Sequence, residues 1–180
     1  MAGIEINQSD MAAVERMLSG INSGAKKAVT KAINKTVVTT KVQIKKKVGA
    51  VIRLKASRIA QDITTSKASY DNMTGKVTVG GEKIGLIQFA QKQTRVGTKV
   101  KVYKQKAAVM YKSAFKASVR GKQHLWRRKG RERLPIVRLA GPRVSDIARD
   151  IRQLGPTETE AADLLQSNLD KAVDDILRRY

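Results

Sequence analysis

Between Ala25 and Ala60 the chain carries eleven basic residues and no acid. A segment of this kind cannot neutralise itself, so whatever it folds into must have an apolar side to bury and a basic side to offer. The apolar positions Ala25, Val29, Ile33, Val37, Ile44 and Val48 fall on one face of a helix at about 100° per residue. Lys27, Lys31, Lys35, Lys41 and Lys45 fall on roughly the opposite face. Lysines four residues apart repel by a few tenths of a kcal/mol per pair, and a solvated face usually mixes its signs. The stripe therefore points to phosphate or to an acidic protein surface, with a solvated face as the bland reading. Val38 and Val42 interrupt it and predict a second contact there. Gly49 fits a C-terminal stop, and Lys45, Lys46 and Lys47 suit the negative end of the helix dipole. A second short helix, Leu54 to Ile63, is expected to follow.

The charge extends beyond this helix. The whole chain has 37 Lys and Arg against 15 Asp and Glu, a formal +22. The two ends, 1–24 and 141–180, are each mildly acidic, and the middle holds the excess. Self-repulsion of this size opposes compactness unless a polyanion or an acidic neighbour relieves it. DNA is the simplest such polyanion, because phosphate contacts need only Lys or Arg within reach. With 180 residues, one domain or one domain plus an arm is expected. Aromatic residues are only 4%, so the core is lean, and a partner subunit or ligand would add to its stability.

The absence of cysteine removes disulfides, cysteine zinc sites and thiol catalysis. The start MAGIEINQSD lacks the basic and apolar pattern of a secretory leader. No window approaches the ~18 apolar residues of a spanning helix. Synthesis in the cytoplasm, without a membrane partner, is expected.

Along the chain, residues 1–8 read as an irregular arm. A short helix runs to Leu18, and Ser19–Gly24 breaks it. Hydropathy then changes from helical to alternating. Lys76–Val79, Lys99–Tyr103, Ala114–Val119 and His124–Arg128 read as strands, with lysines outward and valines inward in the second. Ile84–Ala90 is ambiguous between helix and strand. The segments 91–98 and 104–112, rich in Lys and Gln, read as mobile loops. After Gly141-Pro142, Val144, Ile147, Ala148, Ile151 and Leu154 predict a helix ending at Gly155. Thr157 and Glu160 form a capping-box pattern for a last helix. That helix sets Leu165, Leu169, Ala172, Val173, Ile176 and Tyr180 against Asp163, Asp170, Asp174 and Asp175. The expected fold is α+β: a long N-terminal basic helix, one small antiparallel sheet of about four strands, and two C-terminal helices. Residues 1–24 form an arm with a short helix, and 25–180 a single domain with a mobile loop around 91–112.

Enzyme chemistry finds little to work with. The single histidine, His124, has Glu132 as its nearest acid in sequence, and reads as a structural or interface residue. No zincin, nucleophile-elbow, P-loop or dinucleotide-binding motif occurs. Asp62, Asp71 and Glu82 would have to converge in space to serve a metal-dependent nuclease. No metal and no cofactor is expected. Exposed rings for stacking bases are limited to Tyr103, Tyr111 and Trp126, so a DNA contact would go to the backbone and read no sequence.

The segment Gly121–Pro142, GKQHLWRRKGRERLPIVRLAGP, is the most specific part of the chain. Pro135 removes a backbone donor and holds Leu134 extended. Ile136 can then pin the segment to the sheet, and Gly141-Pro142 turns the chain into the next helix. Trp126 is the largest apolar anchor. The motif reads as a fold determinant or, through His124, Arg128 and Arg133, as a subunit contact. It resembles the signature of the minor tail protein Z family, the tail-completion proteins of long-tailed bacteriophages and prophages. The matching positions are His124, Trp126, Arg128, Gly130, Arg133, Leu134, Pro135, Ile136, Gly141 and Pro142. Ala32-Ile33-Asn34 and Arg53-Leu54-Lys55 also resemble that family's N-terminal half. The likeness spans residues 22–180 in order of elements. It implies a non-enzymatic virion protein at the head-proximal end of the tail, at the neck between tail tube or terminator and head connector. It implies a homo-oligomeric ring of about six copies, with the lysine stripe lining the DNA channel or meeting an acidic partner. A small basic sequence-nonspecific DNA-binding protein, of packaging or chromatin type, is the alternative.

Overall fold

The computed structural model describes residues 2–4, 8–19, 24–119, 121–153 and 157–179. The chain folds as two compact units. The first comprises 1–44, 63–79 and 152–180, and the second 45–62 and 80–151.

In the first unit, helix α1 (Gln8–Met17), most of helix α2 (Gly24–Val51) and helix α5 (Thr157–Leu177) accompany a sheet of strands β1 (Ala2–Ile4), β2 (Ile63–Ser66) and β3 (Gly75–Val79). The sheet is antiparallel in the order β1-β3-β2, with Ile63 opposite Val79 and Ala2 opposite Val77. α2 buries Ala28, Val29, Ala32, Ile33 and Val37, and α5 buries Leu165, Leu169, Ala172, Val173 and Ile176. These small aliphatic side chains form a dense but thin core. Two polar side chains inside it are satisfied. Thr36 Oγ1 donates to the Ala32 carbonyl at 2.9 Å, and Asn168 Nδ2 donates to Thr36 Oγ1 at 2.9 Å.

The second unit contains the end of α2, helix α3 (Ala56–Gln61), two sheets and helix α4 (Val144–Gln153). One sheet holds β4 (Ala90–Gln93), β5 (Gly97–Lys101) and β6 (Val109–Lys112); the other holds β7 (Ala114–Val119), β8 (Lys122–Arg128) and β9 (Ile136–Arg138). Both are antiparallel in chain order. The core is Val48, Ile52, Ile59, Ile84, Leu86, Phe89, Val100, Leu125, Val144 and Ile147. The last turn of α2 is stapled to the chain leaving β5: Arg53 N donates to the Val102 carbonyl at 2.8 Å, and Lys104 N to the Val51 carbonyl at 2.9 Å.

The α+β class stands, but the single sheet of about four strands is corrected to three separate three-stranded sheets. The extra strands came from segments read otherwise. β1 lies in the expected irregular arm. Ile63 begins β2 rather than closing a helix, which shortens α3 to Ala56–Gln61. The expected mobile loop at 91–112 is mostly sheet, because β4 and β6 fall within it. On the face of β4 and β5 that carries the buried Val100, the other positions are Gln91, Gln93 and Thr98 rather than aliphatics. Gln93 Nε2 donates to the Gly97 and Ala114 carbonyls, and Thr98, fully buried, donates to Gln93 Oε1 at 2.7 Å and contacts the Ala114 carbonyl. Hydrogen bonds there replace the apolar alternation that would have announced a strand. The expected single body over 25–180 is two units. Gly49 does not stop α2, which continues to Val51. The breaks expected at 20–23, the stop at Leu154-Gly155, the side chain of Thr157 and Tyr180 lie outside the described residues.

Candidate polyanion-binding surfaces

The five lysines of the predicted stripe lie on α2, and one of them has an anion beside it. Lys27, Lys31 and Lys35 are exposed on α2, while Lys41 and Lys45 are half-buried. Antiparallel α5 brings Asp175 to Lys31 at 2.6 Å. The hydrogen bond and charge of Lys31 hold the Asp175 carboxyl below its ordinary value, with Arg179 and Lys35 adding smaller contributions in the same direction. Part of the stripe is thus answered within its own chain by the acidic helix. Val38 and Val42 stand among the lysines, 51% and 49% exposed, and no described residue covers them.

The charge divides unevenly between the units. The second unit holds 25 Lys and Arg against 5 Asp and Glu, a formal +20; the first holds 12 against 10, a formal +2. Of the five stripe lysines only Lys45 belongs to the second unit. The bulk of the excess therefore lies elsewhere.

One concentration is a sheet face. The register sets Lys92 directly opposite Lys99, Ala90 opposite Lys101, and Gly97 opposite Lys112. Residues directly opposite share a face, and positions two apart along a strand share it too. Lys92, Lys99, Lys101 and Lys112 therefore stand on one face of the β4–β6 sheet, and Val100 and Thr98 are buried on the other. Among the described residues none of the four lysines has an ion-pair partner. The alternation of Lys99 and Lys101 was visible in the sequence. Their meeting with Lys92 and Lys112 was not, because it depends on two hairpin registers.

The other concentration is the loop joining β8 to β9. Arg127, Arg128, Lys129, Arg131 and Arg133 are exposed, and Leu134 beside them is 67% exposed. Lys129 N donates to the Pro135 carbonyl at 3.0 Å and closes the loop; the Leu134-Pro135 bond is cis. Ile136 opens β9 opposite Arg128, half-buried.

The same segment shows what the motif builds. Alternation along β8 sends Leu125 into the core, fully buried, and turns His124, Trp126 and Arg128 to the other face. Trp126 is therefore not the core anchor; that role falls to Leu125. Trp126 is half-buried, donates Nε1 to the Ala117 carbonyl at 3.1 Å, and meets His124 edge-on at 5.8 Å. Arg128 lies over Phe115 at 6.0 Å. His124 Nδ1 is buried without a hydrogen bond, and a Cβ on Gly85 would come within 3.7 Å of it and within 3.4 Å of the Arg138 guanidinium. Gly141 explains itself: a Cβ there would come within 3.0 Å of the Phe89 ring and 3.2 Å of Leu86, while Gly141 N donates to the Ile84 carbonyl at 2.7 Å. Pro142, half-buried, accepts from Ile84 N and completes the pairing.

Among the described residues no group of three or more His, Asp or Glu is placed to hold a metal. Asp62 instead pairs with Arg58 at 2.7 Å and packs against Gly81, so Asp62, Asp71 and Glu82 do not converge. No described helix is long and apolar enough to cross a membrane. The chain matches no family model, no curated protein and no solved structure.

Proposed function

We propose that the chain is a non-enzymatic structural protein of a phage tail, forming a ring at the head-proximal end where the tail is completed and joined to the head. The observation that carries this reading is the construction of Gly121–Pro142, the segment with the tail-completion resemblance. Leu125, buried, and Gly141, closely approached by Phe89 and Leu86, are spent on packing. Its polar positions Arg128 and Arg133 are exposed, where a neighbour could meet them. The charge division supports a ring built by head-to-tail contacts. The exposed carboxylates Asp163, Asp170 and Asp174 of α5 suit the basic unit of the next copy. The test is assembly: sedimentation of the purified chain, and electron microscopy of particles lacking it. A ring and tails that fail to join heads are expected. A strict monomer whose deletion leaves joining intact overturns the proposal.

The +20 of the second unit favours one alternative, a small sequence-nonspecific DNA-binding protein. Tight duplex binding that persists at physiological salt, without assembly, decides for it. Binding that fades before that salt decides for the ring.

A further inference from the structure

We infer that the lysine face of the β4–β6 sheet, and not the α2 stripe, is the surface that holds double-stranded DNA by its phosphates. The inference rests on the DNA channel that the tail-completion resemblance implies, and names the surface responsible. Three observations carry it. First, Lys92 and Lys99 are directly opposite each other, with Lys101 and Lys112 on the same face. Like charges directly opposite across a sheet are destabilising, and a row of phosphates would turn that repulsion into attraction. Second, the α2 stripe already has an anion of its own, since Asp175 holds Lys31 at 2.6 Å, in a unit of formal +2. The lysine face has no ion pair among the described residues and belongs to the unit of formal +20.

Third, the rings of the basic unit do not suit a single strand. Tyr103, Tyr111, Phe115 and Trp126 are all half-buried; Lys106 lies over Tyr103 at 4.9 Å and Arg128 over Phe115. Proteins that bind single strands stack bases on open aromatic faces. A pleated face of lysines, with Lys92 and Lys99 about 5 Å apart across the strands, offers point charges only, which suits the backbone of a duplex and reads no sequence.

The experiment measures affinity for a short mixed-sequence duplex against salt by fluorescence anisotropy, with the full chain. Two variants lose equal charge: K92Q/K99Q/K101Q/K112Q on the sheet, and K26Q/K67Q/K171Q/R178Q on exposed positions of the first unit. Each phosphate contact contributes about 0.9 to the slope of log affinity on log salt. The sheet variant is expected to lose up to about 3.6 from that slope, and the control less than about 1. Thermal midpoints confirm that both variants fold, the sheet variant melting no lower than the parent. Equal losses in the two variants, an unchanged slope in the sheet variant, or no duplex binding by the parent chain would overturn the inference. Sedimentation of the same samples reports assembly independently, so a ring without duplex binding removes this inference and leaves the ring standing.

Discussion

At the residue scale, the firmest statements concern side chains that tie backbone together. Asn34 on α2 acts as a short piece of β-ladder: Nδ2 donates to the Ala68 carbonyl at 3.1 Å, and Oδ1 accepts from Ala68 N at 2.8 Å. It pins the β2–β3 connection to the helix. Asn34→Ala leaves both backbone groups unpaired at a buried residue and is expected to cost about 1–3 kcal/mol, read as a fall in the urea midpoint. A conserved slope would show that the denatured state is unaffected. Two glycines give opposite signs. Gly81 has φ +100° and sits against the Asp62 carboxylate, where a Cβ would fall 2.4 Å from Cγ. Gly81→Ala should cost about 2 kcal/mol or more, since strain and overpacking add. Gly49 lies inside α2 with an ordinary 3.7 Å approach to Ile59 Cδ1. Gly49→Ala should stabilise by about 0.5–1 kcal/mol. Calorimetric midpoints moving the same way for both alanines would contradict this local geometry.

At the element scale, charge placed by pairing decides stability. Lys99→Glu replaces a directly opposed like-charge pair with an opposite one and should stabilise by about 0.2–1 kcal/mol while weakening duplex binding. A variant that melts lower, or binds DNA as well as the parent, would show that the Lys92–Lys99 register does not govern either property. On the helices, Lys31–Asp175 has the ordinary carboxylate linkage. The Asp175 carboxyl is held low in the folded chain, so its contribution is present above about pH 4 and is lost as pH falls below that. Asp175→Asn should therefore show a stability deficit at neutral pH that closes on acidification, and that shrinks with added salt because the pair is exposed. These elements also show what was legible in the sequence. α2 and α5 were readable because their aliphatic residues recur with helical period, and β7 and β8 because Gly121 separates two alternating runs. β4 was not, because Gln91 and Gln93 occupy the positions an aliphatic would. β2 was hidden because Ile63 fits the period of the preceding helix as well as a strand. Trp126 misled through its size: alternation from Leu125 fixes it on the opposite face from the core.

At the scale of the whole molecule, the stripe of lysines and the bulk of the net charge lie mostly in different units. Read along the chain, residues 25–60 are the most one-sided segment. Read in the fold, four of the five stripe lysines share a unit of formal +2 with the acidic C-terminal helix, and the excess gathers in a unit of formal +20. In the proposed ring, repulsion between the basic units of two copies opposes an attraction between the α5 carboxylates of one copy and the basic unit of the next. The second contact gives head-to-tail geometry, which closes into a ring or grows into a filament. Both terms weaken with ionic strength, the Debye length falling from about 30 Å at 0.01 M to about 8 Å at 0.15 M, but only the attraction depends on α5. Neutralising Asp163, Asp170 and Asp174 to Asn removes it without touching the buried face of the helix. The triple variant is expected to melt as the parent does and to sediment as a monomer where the parent assembles at low salt. A variant that assembles equally well would place the subunit contact elsewhere, with the exposed β8–β9 loop around Arg131 and Arg133 as the next surface to neutralise.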